Sequence, residues 1–596
     1  MEARMRRELD LCSGGEIPQS FESVDQYLGS YVFPLLEETR AELASALETV
    51  YKAPFAEVTS FNELKGDKLQ YHVKVDHWRN RKSDGKEPYR TLPGDVVLLS
   101  DLKPETVCDL QRVDRTFTFA SVTNTVDDET RESGDNCTPS NFKVKTEKHV
   151  EVGDGQSNSL YVLFLMNMTT NKRIWNALSM RRNLKIIKKV LCKNDSGEEY
   201  CDFCPLKCNS DIEVKFGLNL FSNLNDSQIE AISASLLKTE CNHKSSVELI
   251  WGPPGTGKTT TLSILLYTLL KMNVRTLICA PTNVAIKELA SRLIALVRNS
   301  VEAEYEKSFL PCPLGDMLIF GNKDRLKVGS DIEEISLDYR LERLSHCLVP
   351  QTGWRHCVAT MLGFLEDCVS QYQIYMDNEL IKAKESLQHE VQSNKSFLEF
   401  ARDRFAHIAT PLRRCMSTFL THLPRSCILE NNFQRIVQLM SLLDSMEIFL
   451  FEDSSMTSEE LENSFLQQQM ISSEFVDTSS LVYTRSQCLS ILRSLQASLD
   501  KLSLPVVTNI ASTTEFCFQK ASLIFCTTSS SYKLHSFDVE PFKLLVIDEA
   551  AQVKECESII ALQIPDVRHA ILVGDERQLP AMVNSKVIMK FANSLN

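Results

Sequence analysis

The chain has 596 residues, of which 43% are hydrophobic and 24% charged, with a formal net charge of −14. Such a length calls for several domains, the composition excludes wholesale disorder and a fibrous repeat, and the negative balance excludes a wholly basic nucleic-acid coat while leaving room for a local basic track. No apolar run reaches the ~18–20 residues of a membrane span, no apolar stretch follows the mixed charges of Met1–Asp10, and the 19 cysteines are scattered as reduced thiols are, so a soluble intracellular protein is expected.

In chain order, Leu35, Leu36, Leu43 and Leu47 recur at helical spacing and predict a helix over Tyr31–Tyr51. Short β-type runs follow at Asp95–Leu99, Thr116–Thr123, Asn141–Val150 and Leu160–Leu165, and predict a small barrel. Asp127–Ser140 reads as a polar loop, and the basic stretch Trp78–Arg90 as a solvated one. Lys172–Val190 reads as helix, with seven basic residues and no acid between Lys172 and Lys189, around Trp175. Such a stripe follows a phosphate backbone or, the favoured reading, lays its aliphatic stems over an apolar neighbour. Cys192, Cys201, Cys204 and Cys208 lie within 17 residues. Four thiolates could hold structural zinc or an iron–sulfur cluster, but the second pair is irregular and no histidine pair joins it, which favours plain thiols.

From Val247 the pattern changes. Val247–Trp251, Thr276–Cys279, Leu523–Phe525, Leu544–Ile547 and Ile571–Val573 are short apolar runs that predict buried strands of a parallel sheet, and hence an α/β fold. Between the second and third, residues 300–505 carry helical periodicity, as in Leu341–Leu348 and Glu379–Phe405. Within them Glu452–Glu462 has five acids and no base and reads as a solvated linker.

Gly252-Pro253-Pro254-Gly255-Thr256-Gly257-Lys258-Thr259 fits the Walker A pattern between a predicted strand and a predicted helix, with Thr260 next in line. The glycines let backbone N–H groups turn inward around phosphate oxygens, and the helix N-terminus adds partial positive charge. Lys258 is expected to reach the β- and γ-phosphates of ATP, and the Thr259 hydroxyl to bind Mg²⁺. After the apolar run Leu544–Ile547, Asp548 emerges at the carboxyl end of a strand, where such sheets bind ligands. Its expected role is to order Mg²⁺; that of Glu549 is to orient and deprotonate the attacking water.

Asp548-Glu549-Ala550-Ala551-Gln552 and Gly574-Asp575-Glu576-Arg577-Gln578-Leu579-Pro580 resemble motifs II and III of superfamily 1 helicases. Ala280-Pro281-Thr282-Asn283-Val284-Ala285 resembles their motif Ia, and Leu224-Asn225-Asp226-Ser227-Gln228 their Q motif. The combination is similar to the senataxin and up-frameshift branch. Ser20–Val24, Tyr27–Ser30 and Phe320–Arg325 resemble its plant senataxin-like subgroup. The resemblance implies that Gln228 reads the adenine edge and that Gln578 senses the γ-phosphate or the attacking water. It places Pro281, Thr282 and Asn283 on the backbone of single-stranded RNA or DNA.

It further implies a stalk and β-barrel accessory domain over 1–215 and a RecA-like motor in two parts, 216–300 and 506–596. A helical insertion over 301–505 separates those parts and offers a surface for protein partners. No membrane is implied, and the nucleus is favoured over the cytoplasm. Only 16 residues follow Pro580, so a chain truncated after motif III is expected, without the second motor domain that supplies charge-neutralising arginines. The rival readings are a nucleotide-binding interaction protein that does not unwind, and a remodelling ATPase of the wider AAA class.

Overall fold

The computed structural model describes residues 17–586 apart from 19, 65–68, 81–88, 102, 105, 111–116, 126–140, 151–159, 192–220, 305–313, 386–394, 429, 453–455, 467–479, 503 and 505–509. The polar loop Asp127–Ser140 and the cysteines at 192, 201, 204 and 208 lie outside the described residues. The chain forms two compact units: one comprises Met1–Glu198, Ala551–Gln563 and Glu576–Asn596, the other Glu199–Ala550 and Ile564–Asp575.

The first unit is built on a closed antiparallel barrel in the order β1-β2-β5-β4-β3-β6. Its strands are β1 (Phe55–Glu63), β2 (Gln70–Val75), β3 (Asp95–Ser100), β4 (Phe117–Thr125), β5 (Asn141–Thr146) and β6 (Tyr161–Asn167). The first two carry many polar residues and were not expected from the sequence. Period-2 alternation sends Tyr71, Val73, Val75, Phe142 and Val144 inward. Strand β3 is buried on both faces: Val97 and Leu99 fill the barrel, while Val96 and Leu98 join a second cluster with Leu43 and Leu47 of the helix Val32–Glu48. Trp78, expected in a solvated loop, is 7% exposed and packs in the barrel core.

The basic stretch Lys172–Lys189 is not one helix. It divides into Thr169–Ser179 and Leu184–Leu191, with Asn183 at a positive φ of 46° between them. The reason is a buried amide. Gln563 donates to the Ala177 carbonyl (2.6 Å) and accepts from the Arg182 N–H (3.1 Å), while Asn183 Nδ2 donates to the Leu562 carbonyl. Arg181 turns away to pair with Asp25.

The second unit holds a six-stranded parallel sheet in the order β7-β12-β11-β8-β10-β9. The strands are β7 (Ser246–Trp251), β8 (Thr276–Ala280), β9 (Met317–Ile319), β10 (Leu523–Thr527), β11 (Leu544–Ile547) and β12 (His569–Gly574). Five stand where the apolar runs predict them. However, β7 is an edge strand rather than a buried one, with Leu249 74% and Trp251 55% exposed. Strand β9 falls inside the stretch expected to be helical. It completes the opposite edge, and the fully buried Arg340 donates to the carbonyls of Leu314, Gly315 and Met317 around it.

The rest of that stretch is helical: Leu337–Leu348, Trp354–Glu385, Phe397–His422, Glu430–Phe451, Ser458–Leu466 and Leu481–Leu499 pack around Phe364, Phe405, Leu412, Phe419, Leu443 and Leu495. Glu379–Phe405 is interrupted: Ser396 and Glu399 form a capping box that starts a new helix. The acidic run Glu452–Glu462 is likewise more than a linker. Thr457 and Glu460 exchange cap hydrogen bonds, and Leu461 is fully buried in the helix they begin. The acids there face the positive end of the helix dipole.

Candidate active site

Strand β7 ends at Trp251, and the loop Gly252–Gly257 leads into the helix Lys258–Lys271. Gly255 (φ 80°) and Gly257 (φ 81°) adopt left-handed conformations that side chains resist, which curls the loop. A side chain at Gly252 would meet Thr256 Oγ1 at 2.6 Å, so admitting one would displace that hydroxyl from its bond to the Pro253 carbonyl. Lys258 reaches back into the curl, its Nζ donating to the Gly252 carbonyl (2.6 Å) and the Pro253 carbonyl (3.3 Å). Thr256 Oγ1 also bonds the Pro253 carbonyl, and the Gly252 N–H is anchored on the Gly574 carbonyl at the end of β12. Thr259 is half-buried and Thr260 exposed; Pro253 and Pro254 lie on the open side of the loop.

Gln228 closes the loop from the other side. Its Oε1 accepts from the Asn225 N–H in a capping box at the start of the helix Asp226–Glu240, and its Nε2 donates to the Thr256 carbonyl (2.9 Å). One amide thus ties a helix N-terminus to the phosphate loop. A Gln amide has two N–H groups and an oxygen with two lone pairs, so these bonds leave capacity on both ends.

At the end of β11, Asp548 is 5% exposed and accepts the Glu549 N–H. Burial pushes its carboxyl up to about 6; the charges of Glu549 and Glu288 add to this, and the Glu549 amide and Lys258 oppose it. Lys258 follows β7 and Asp548 follows β11, strands separated by β12, and the Lys258 charge is felt at the Asp548 carboxyl. Glu549 sits at φ 50°, a conformation that costs a non-glycine residue ~1–3 kcal/mol and persists where the surroundings impose it. Glu288, held by Arg292, was not foreseen: nothing in the sequence sets it apart from the other acids of the helix Asn283–Glu304.

Pro281 follows β8, where Thr282 Oγ1 accepts from the Ala285 N–H and Asn283 Nδ2 donates to the Arg325 carbonyl. Thr528, just past β10, bonds the Ala280 carbonyl next to Pro281. That puts the hydroxyl-rich run Thr527–Ser531 beside the expected strand-binding residues. The run of serines and threonines after an apolar strand was its available signal. Gln578, half-buried, follows the point at which the chain leaves the sheet unit.

Among the described residues no group of three or more His, Cys, Asp or Glu could hold a metal ion by itself. The donors here suit Mg²⁺ in a different way. This hard cation keeps several waters and takes one or two protein oxygens beside substrate phosphates, which the Thr259 hydroxyl and the Asp548 carboxylate can provide. Among the described residues no helix is long and apolar enough to cross a membrane.

Residues 13–198 match a family described as a domain of unknown function, DUF6469, and residues 223–586 match the family described as AAA domain. Helicase sen1 of Schizosaccharomyces pombe is 24% identical over 401 residues, which cover 64% of this chain and 18% of that protein. ATP-dependent helicase NAM7 of Saccharomyces cerevisiae is 30% identical over 185 residues (28% of this chain, 18% of that protein). DNA polymerase alpha-associated DNA helicase A of the same yeast is 35% identical over 150 residues (24% and 20%). The chain spans at most a fifth of the length of these relatives. Since the AAA domain match covers more than half of the chain, the chain belongs to that family, and the relatives it resembles are named as helicases.

Proposed function

We propose that the sheet unit binds Mg·ATP at Gly252–Thr260 and couples its hydrolysis to movement on single-stranded RNA or DNA, within the senataxin and up-frameshift branch and its plant senataxin-like subgroup. The observation that carries this reading is the seating of Lys258 inside a curled glycine loop within electrostatic reach of the buried Asp548. Mg²⁺, when bound, supplies charge neutralisation at the phosphates. The protein groups do the rest. Lys258 exchanges its loop carbonyls for phosphate oxygens, and the N–H groups of Gly255 to Thr259 line the cradle around them. The Thr259 hydroxyl and the Asp548 carboxylate hold the cation's shell. Glu549, displaced by its left-handed turn, accepts a proton from water, and Gln578 reports the γ-phosphate.

Gln228 has the remaining donor and acceptor capacity to read an adenine edge while keeping the loop tied. Pro281, Thr282 and Asn283 form the strand-binding edge, where short polar groups contact phosphates without reading sequence. The domain scheme that goes with this reading is an accessory stalk and barrel over 1–215, a RecA-like motor over 216–300 and 506–596, and an insertion over 301–505 that serves protein partners and is helical apart from β9, which belongs to the motor sheet. A nuclear location accompanies it. The test is fluorescence titration of the purified chain with a labelled ATP analogue, with and without Mg²⁺, in the parent and in Asp548→Asn. Magnesium-dependent tightening in the parent that disappears in the variant supports the assignment; identical curves overturn it.

A further inference from the structure

Glu38 lies on the helix Val32–Glu48 among other acids, yet it is 5% exposed. Carboxylates are almost never that buried unless something holds them. Here the holders come from two distant stretches of chain. Lys554 Nζ donates to Oε1 at 3.0 Å. The Asn584 N–H donates to Oε1 and Oε2 at 2.8 and 3.0 Å, and the Ser585 N–H to Oε2 at 2.9 Å. Neighbouring acids extend the grip: Ser585 Oγ bonds Glu37 (3.4 Å) and Asn584 Nδ2 bonds Glu42 (3.5 Å).

Both stretches come directly from the sheet. Lys554 follows Glu549 with Ala550–Val553 between them, and Asn584 follows Gln578 with Leu579–Val583 between them. The first stretch enters the barrel unit at Ala551 and the second at Glu576. Before the chain returns to the sheet, the first is pinned again at Gln563, through the Ala177 carbonyl and the Arg182 N–H. One carboxylate therefore holds the downstream ends of the segments that bear Asp548, Glu549 and Gln578.

We propose that Glu38 is a positioning residue for ATP hydrolysis, fixing through these two tethers where the motif II and motif III segments stand; this rests on the functional reading given above. A fixed end on each tether limits the drift of the reacting groups. Misplacement by about 1 Å costs up to ~100-fold in rate. Binding depends on the phosphate loop and on Asp548, which the sheet holds at the end of a strand paired on both sides, whereas Glu549 and Gln578 lie nearer the tethers, so the rate of the chemical step moves and nucleotide affinity does not.

The experiment uses the 596-residue chain and Glu38→Gln, whose amide cannot accept from all of these donors. Lys554→Met, which leaves the two backbone donors on Glu38, serves as a milder second variant should the first fold poorly. Single-turnover hydrolysis at saturating Mg·ATP is expected to slow ~10- to 100-fold in Glu38→Gln and less in Lys554→Met, with nucleotide affinity within about twofold of the parent. Amide hydrogen exchange is expected to accelerate over Ala550–Val553 and Glu576–Val583 while the barrel strands keep parental rates. Parental exchange in both segments overturns the proposal. So does a parental rate of hydrolysis accompanied only by a lower melting temperature, which is what a purely structural clamp gives. A parent without Lys258-dependent hydrolysis overturns the functional reading instead, and the exchange data then decide the hold of Glu38 by themselves.

Discussion

Asp548 in the sheet unit and Glu38 in the barrel unit are both 5% exposed, yet their environments drive them in opposite directions. Burial outweighs everything else at Asp548, whose carboxyl is pushed up to about 6. At Glu38 burial also raises the pKa, but the N–H groups of Asn584 and Ser585 and the Lys554 ammonium overcome it and hold the carboxyl below its usual range. Equal burial therefore serves two ends. A carboxylate whose charge is poorly compensated by the protein is suited to receive a cation, and one saturated by protein donors is suited to fasten backbone.

The largest effect that would break this contrast is on stability. Glu38→Gln removes the charge that three donor groups face, and breaking such a buried set costs about 3 kcal/mol. The expected outcome is a drop in melting temperature of ~5–10 °C by differential scanning calorimetry. Asp548→Asn keeps the shape and removes a buried charge, so the nucleotide-free variant is expected to melt no lower than the parent. If Asp548→Asn proves the more damaging of the two, the contrast fails.

Acid sharpens the same comparison. The folded pKa of Glu38 is lowered from 4.5, so its contribution is present above the ordinary carboxylate range and lost as pH falls through the lowered value. The stability gap between parent and Glu38→Gln should then close in acid and stay constant above about pH 6. A different window belongs to His422 in the helical stretch, whose pKa is lowered from 6.5 to about 3 by burial and by the charges of Arg340 and Arg343. The unfolded chain binds a proton there that the folded one refuses. Stability from this site is complete above 6.5 and lost as pH falls toward 3. Urea titrations of the parent should show a loss of up to ~1.4 kcal/mol per pH unit in that window, flattened in His422→Gln. The smallest effect is at a cap. Thr457→Ala removes the hydroxyl that receives the Glu460 N–H, and should cost ~1 kcal/mol in the same titration.

The residues of the candidate site were legible because they are local. Gly252–Thr259 and Asp548–Glu549 are contiguous, and each stands at the end of an apolar run that reads as a strand, although the first of these strands, β7, is an exposed edge. What was illegible depends on partners distant in sequence. Nothing distinguishes Glu38 from Glu37 or Glu42 until Asn584 and Ser585 arrive from 546 or more positions away. The same holds for the basic stretch, which periodicity reads as one helix because the buried Gln563 that divides it lies far downstream. Strand β9 has only three residues, and β1 and β2 carry too many polar ones to stand out. The acidic run is different. Thr457-x-x-Glu460 is a capping signature visible in the sequence, outweighed there by the density of charge.

Lys258 in its curled loop is the proposed seat of the nucleotide. Isothermal titration calorimetry of the parent and of Lys258→Ala with ATP and Mg²⁺ tests it most directly. A buried phosphate that loses its principal cation loses a charge-assisted bond worth ~1.5–3 kcal/mol, so binding is expected to weaken at least ~10-fold in the variant, with an unchanged melting temperature showing that the fold is intact. Equal affinity of parent and variant would contradict it.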